Sequence, residues 1–259
     1  LHLTDEEFRV EGDLVVVGGG FGEGSVTLVD VSDVSAPVVL SRIDGIGQVG
    51  DVEVQGGLLF ITTDPALDPD TTVTVMVWDI SNPSLPLPVS AIRPEDDTAH
   101  TLSWGGDLLF LASASYARES AWSFADPLQP VRVGSWSPPP PATVHDQVWH
   151  EGLLYVAYVT GFGIVDVTEP ATPVTLAAQE AGWEDPFVHN LAVTEDGAVL
   201  AMSEERLGGG LRVWDVANPA APVQVGEYVT SDSHSIHNVG VRGSVAFCTW
   251  FVEGLLALD

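Results

Sequence analysis

Apolar and polar positions alternate at period two, in short runs, along nearly the whole chain, and the runs recur. VTLVDVSDVSAP spans Val26 to Pro37, VMVWDISNPSLP Val75 to Pro86, SAWSFADPLQP Ser120 to Pro130, GIVDVTEPATP Gly163 to Pro173 and LRVWDVANPAAP Leu211 to Pro222. Each copy predicts a strand that stops in a fixed turn. β-Branched and aromatic residues suit a pleated, half-buried surface, and the Asp, Ser, Thr and Asn that follow can bond their own backbone before the Pro. A partial copy, LLALD, ends at Asp259.

A second pattern precedes the first. Strand starts fall at Glu6, Gly50, His100, His145, His189 and His237, in steps of 44, 50, 45, 44 and 48 residues. Each is followed by a tight Gly- or Asp-containing turn and an apolar run (LVVVG, LLFIT, LLFLA, LLYVA, AVLAM, VAFCT). Two-residue hairpins demand the positive φ that such turn residues allow. Repeats of about 40 to 50 residues built of several short strands are the mark of a radial propeller. The expectation is all-β: a six-bladed β-propeller of four-stranded antiparallel blades, one domain over residues 1–259, or seven-bladed if residues are missing from the chain. The start at Leu1 and the stop in mid-repeat point to a piece of something longer.

In such a meander one rim carries the repeated Asp-turn-Pro and the other all the irregular loops. Function is expected on the irregular rim. TTDPALDPDTT, EAGWEDPFV, SEERLGGG and TSDSHSI lie there.

Composition narrows the partners. Thirty-seven acidic residues face eight basic ones, all Arg, for a formal net charge of -29. So negative a surface repels nucleic acid and anionic membranes. High-salt adaptation, surface calcium and solubility in an exported protein compete to explain it, and the lack of Lys favours the first. No window reaches 18 consecutive apolar residues, so no membrane span is expected in this segment. The single Cys248 allows no intrachain disulfide and reads as a core residue.

The strand-and-turn copies, above all TLVDVS, IVDVT and VWDIS followed by Pro, resemble the LVIVD-repeat β-propellers of bacterial and archaeal surface proteins, as do the His-Asn and His-Asp strand starts. The resemblance covers essentially the whole chain and implies an exported or cell-surface propeller. It does not specify an activity. Ser123 departs from the pattern where Asp30, Asp79, Asp166 and Asp215 stand.

His100, His145, His189 and His237 occupy one equivalent position in four consecutive repeats. At the inner edge of a propeller they would form a ring able to hold iron, copper or zinc, with Glu6, Glu7, Asp51 and Asp146 as acceptors for their second nitrogens. Gly50 would leave an open coordination position. Propeller oxygenases that hold iron with four histidines are similar in arrangement only. The competing account is structural: His followed by Asp or Asn can brace a neighbouring blade's backbone. Trp183, Phe187 and His234 are candidate ligand-contacting residues on the rim. Asp64, Asp68 and Asp70 offer calcium-type oxygens, but their spacing matches no EF-hand and an acidic solvated loop is the simpler account.

Two functions are therefore expected in competition. The first is a non-enzymatic extracellular or cell-surface recognition scaffold acting through the irregular rim. The second is a metal-dependent enzyme using the histidine ring. The ligand is a protein, small molecule or glycan left open by the sequence. The sixth repeat lacks its fourth strand, so Leu1 to Thr4, residues absent from this chain, or a neighbouring subunit through self-association is expected to fill that edge.

Overall fold

The computed structural model describes residues 7–19, 24–63, 73–93, 98–113, 118–137, 143–181, 186–230 and 234–259. Glu6, Trp183, the acidic trio Asp64, Asp68 and Asp70, and the terminal Leu1 to Thr4 lie outside them. Among the described residues all regular structure is strand. The strands form six sheets, five of four strands and one of three, each running in chain order. These are the blades of a six-bladed β-propeller.

Blade four shows the pattern: Val144–His150, Leu153–Tyr158, Gly161–Asp166 and Val174–Glu180. Its first turn, Glu151-Gly152, requires left-handed backbone at both positions, with φ of 45° and 85°. A type I′ turn of this kind matches the twist of the strands it joins. His150, beside that turn, is the last strand residue and pairs with Leu153.

The described chain gathers into two compact units, one within residues 7–113 and 120–133, the other within 118–119 and 134–259. In the second and third strands of the four-stranded blades, alternation sends both faces into apolar cores. In the first unit Val16, Leu28, Val52, Leu59 and Ile61 pack as one cluster and Phe60, Val75, Val77, Leu109 and Trp122 as another. In the second, Tyr155, Phe162, Leu191, Leu200 and Trp214 form one cluster and Leu211, Ile236, Cys248 and Trp250 another. Burial pushes the Cys248 thiol up to about 11, so it stays protonated and apolar.

The repeated turn is built as its sequence implies. Asp30, Asp79, Asp166 and Asp215 each accept the N–H two residues on, at 2.8, 2.9, 3.0 and 3.0 Å. Ser123 keeps the role with a longer bond, 3.4 Å to the Ala125 N–H. Hydroxyl and N–H bonds from Ser81 and from Thr168 hold the Asp79 and Asp166 carboxyls below the usual carboxylate range. The turn also receives the neighbouring blade: Ser41 Oγ donates to the Pro83 carbonyl at 2.5 Å and Ser90 Oγ to that of Pro127 at 2.6 Å. At the matching place in the third blade stands Gly134, where a Cβ would come within 1.8 Å of the Pro170 carbonyl oxygen. The motifs at Pro83 and Pro127 thus each end one strand and staple the outer strand of the blade before, and the motif at Pro170 packs closely on its own preceding blade.

Candidate metal centre

The histidine positions owe their geometry to a repeated irregularity. The first strand of a blade slips register between Val49 and Val52, between Val144 and Asp146, between Val188 and Leu191 and between Ile236 and Val239. A bulge of this sort adds a residue to one strand and re-aims side chains. Gly50-Asp51, His145, His189-Asn190 and His237-Asn238 occupy these slips.

Asp51, Asp146 and Asn190 each brace the next blade. Asp51 Oδ1 accepts the Val52 N–H at 2.7 Å and Oδ2 the Leu102 N–H at 3.0 Å. Arg9 Nη2 lies 3.6 Å from the same buried carboxylate. Asp146 Oδ1 accepts the Gln147 N–H at 2.7 Å, while Oδ2 accepts from Asn190 Nδ2. Asn190 Oδ1 in turn accepts the Val239 N–H at 2.8 Å. Of the acceptors expected for the imidazoles, Asp51 and Asp146 hold one inner strand to the next. Gly50, expected to open a coordination position, is set by a close approach: a Cβ there would lie 2.6 Å from the His100 carbonyl oxygen. That carbonyl accepts from Thr62 Oγ1 at 2.8 Å, within the first unit.

The second unit brings three of the four histidines together. The His145 and His189 rings lie 4.1 Å apart between centroids and His189 and His237 4.2 Å, each pair tilted by about 42–43°. Phe187 meets His145 edge-on at 5.5 Å and Phe251 lies 5.3 Å from His237. Phe187 thus joins the cluster as a rim aromatic. His234 takes another partner, with Nδ1 bonded to Glu253 Oε1.

Glu205 completes the group. His189 Nε2 stands 3.2 Å from Glu205 Oε2. One ligand atom from each of His189, Glu205 and His237 lies within 4.8 Å of the others. His189 is buried and the other two partly so. Two imidazoles and a carboxylate at such spacing form the donor set of three-ligand zinc sites and of non-haem ferrous sites. The residues present fit a divalent transition metal, and three protein donors leave further positions for a ligand.

Glu205 was not legible as a donor in the sequence, being one acidic residue of the irregular SEERLGGG. The surrounding structure fixes it. Its N–H donates to the Phe187 carbonyl at 2.8 Å. Next to it, buried Glu204 lies 2.5 Å from Arg206 Nε and 3.7 Å from Arg212 Nη2. The loop folds back so closely that a Cβ on Gly209 would sit 2.0 Å from the Glu204 carbonyl oxygen.

Comparison with known proteins agrees with the fold. The family model of the LVIVD repeat matches residues 10–44, 46–91, 147–177 and 206–230. No curated protein matches the chain. Among solved structures, a putative 6-phosphogluconolactonase from Bacteroides fragilis NCTC 9343 is similar at a TM-score of 0.74 and 12% identity, over 93% of this chain and 75% of that one. The Cps50 (Swd1) β-propeller domain of Myceliophteria thermophila is similar at 0.71 and 12%, over 98% and 82%. At that identity the likeness is one of fold.

Proposed function

The chain belongs to the LVIVD-repeat family, and we propose that it is a binding propeller that holds a divalent transition metal on His189, His237 and Glu205 and recognises its partner through the loop-bearing rim beside them. The observation behind this is the mutual spacing of the three donor atoms within 4.8 Å. Imidazole and carboxylate together favour zinc or ferrous iron over calcium, which takes oxygen alone. With a metal in place, an oxygen or nitrogen of the partner would enter its open position while Phe187 and Phe251 flank it.

The same open position supports the enzymatic reading. A metal held by these residues would supply Lewis-acid chemistry to a bound carbonyl or phosphoryl oxygen or to water, and the His145 ring, tilted against His189, would stand where a proton acceptor is useful. We place the protein outside the cell or at its surface, on the family resemblance and the acidic composition; fractionation of the native cells tests this.

Metal content decides the central point. Protein purified without a histidine tag or chelator, then offered zinc or ferrous iron, is expected to retain near one ion per chain. His189→Ala with His237→Ala should abolish retention, and Glu205→Gln should weaken it by roughly 10- to 100-fold, the range seen for less direct partners of a metal. Retention unchanged in the double variant, or no retention by the native protein, would overturn the proposal.

A further inference from the structure

One side chain in the second unit stands where the repeat calls for an apolar one. Counting back four residues from the motif's Asp or Ser gives Val26, Val75, Phe162 and Leu211 in four blades and Glu119 in the other. All five are buried, and Glu119 is only 1% exposed. Neither of its carboxylate oxygens has a hydrogen-bond partner. A carboxyl so placed costs far more than the valine it replaces unless something compensates it.

Its surroundings are polar in a directed way. Tyr158, 2% exposed, has a hydroxyl without a hydrogen-bond partner, and the charge of Glu119 acts on it. That hydroxyl has room because Gly163 lacks a side chain: a Cβ there would fall 1.6 Å from it. Gln147 pairs with Val156, two residues before Tyr158, so its side chain shares the Tyr158 face of the sheet. Gln147 is 4% exposed and both ends of its amide lack partners. Three buried side chains therefore offer a carboxylate, a phenol oxygen and an amide oxygen.

We infer that Glu119, with the Tyr158 hydroxyl and the Gln147 amide oxygen, anchors a buried site for a monovalent cation, sodium or potassium. The donors are all oxygens, the choice of hard cations, and carry one formal charge, where calcium sites muster several carboxylates. Imidazole and thiolate are absent from the set, which separates it from the histidine centre in chemistry. Burial pushes the Glu119 carboxyl up to about 8 in the cation-free protein, so proton and cation compete for the same oxygens.

That competition supplies the test. Melting curves are recorded in sodium, potassium and N-methylglucamine chloride at one ionic strength, at pH 6.5 and at pH 9. General screening treats the three salts alike, so it opens no gap between them at either pH. A site predicts a midpoint several degrees higher in sodium or potassium than in N-methylglucamine, with a larger gap at pH 9. Glu119→Gln, which keeps the shape and removes the charge, should close the gap. Tyr158→Phe, which leaves the carboxylate, should raise the half-saturating cation concentration about tenfold. Equal midpoints in all three salts, or a gap that survives in Glu119→Gln, would overturn the inference.

Discussion

At Glu119 a single ionisable group couples stability to pH, and the sign follows from its burial. The folded-state carboxyl titrates near 8 against an ordinary value of 4.5. Below 4.5 it is neutral in both states. As pH rises from there the unfolded chain releases the proton and the folded one keeps it, so stability falls until about pH 8 and then levels. The loss is on the order of several kcal/mol at most. In N-methylglucamine buffers the melting midpoint of the native protein should decline across this window, and Glu119→Gln should flatten that component of the decline. Glu119 was not conspicuous in the sequence, where RESAWS reads as one more alternating strand. Only the matching apolar residues of four other blades, read together with burial, set it apart. The histidines were conspicuous by their equivalent positions, but equivalence could not tell which rings meet or that Glu205 joins them. Those facts depend on the bulges and on a loop whose path has no repeat to predict it.

At the scale of the element, the motif's turn proves to be a connector as well as a strand ending. The hydroxyl of Ser90 reaches the Pro127 carbonyl from a partly buried position, and loss of such a bond costs about 1 kcal/mol. Ser90→Ala should therefore lower the melting midpoint by roughly 2–4 °C. Gly134→Ala is expected to cost more, about 1–3 kcal/mol, because its Cβ would be driven against the backbone oxygen of Pro170. Calorimetry on the two variants gives the order: if the alanine at 134 proves harmless, the close packing of strand on turn is wrong. Strand order, hairpin turns and the Asp-anchored turn were all readable in the sequence, since each depends on local alternation and turn chemistry. The contact from Ser41 or Ser90 to the following turn was not, because it joins residues about 40 positions apart.

For the whole molecule, charge is the dominant global property. With 37 acidic and eight basic residues, carboxylates repel one another at low ionic strength, and salt shortens the range of that repulsion from about 10 Å at 0.1 M to roughly 3 Å at 1 M. The melting midpoint should rise between low salt and molar N-methylglucamine chloride, where no small cation is offered; an unchanged or lower midpoint would count against high-salt adaptation. The number of blades was legible from the spacing of six strand starts. What the sixth blade does with its outer edge was not. Its last strand, Gly254–Leu258, leaves Leu255 68% exposed among the described residues, and the expected partner, Leu1 to Thr4, lies outside them.

The braces at the inner strands all point the same way along the chain. Asp51 reaches forward to Leu102, Asp146 to Asn190 and Asn190 to Val239, and the outer staples from Ser41 and Ser90 run forward as well. For a chain emerging from the ribosome, this means that the side chain which will grip a blade is in place before that blade is made. A repeat of 44 to 50 residues takes several seconds to synthesise at about 5–20 residues per second, whereas a hairpin closes in microseconds. Each blade can then fold against a finished predecessor that already presents its donors and acceptors, so the polar groups left waiting at any moment belong to side chains that water can serve.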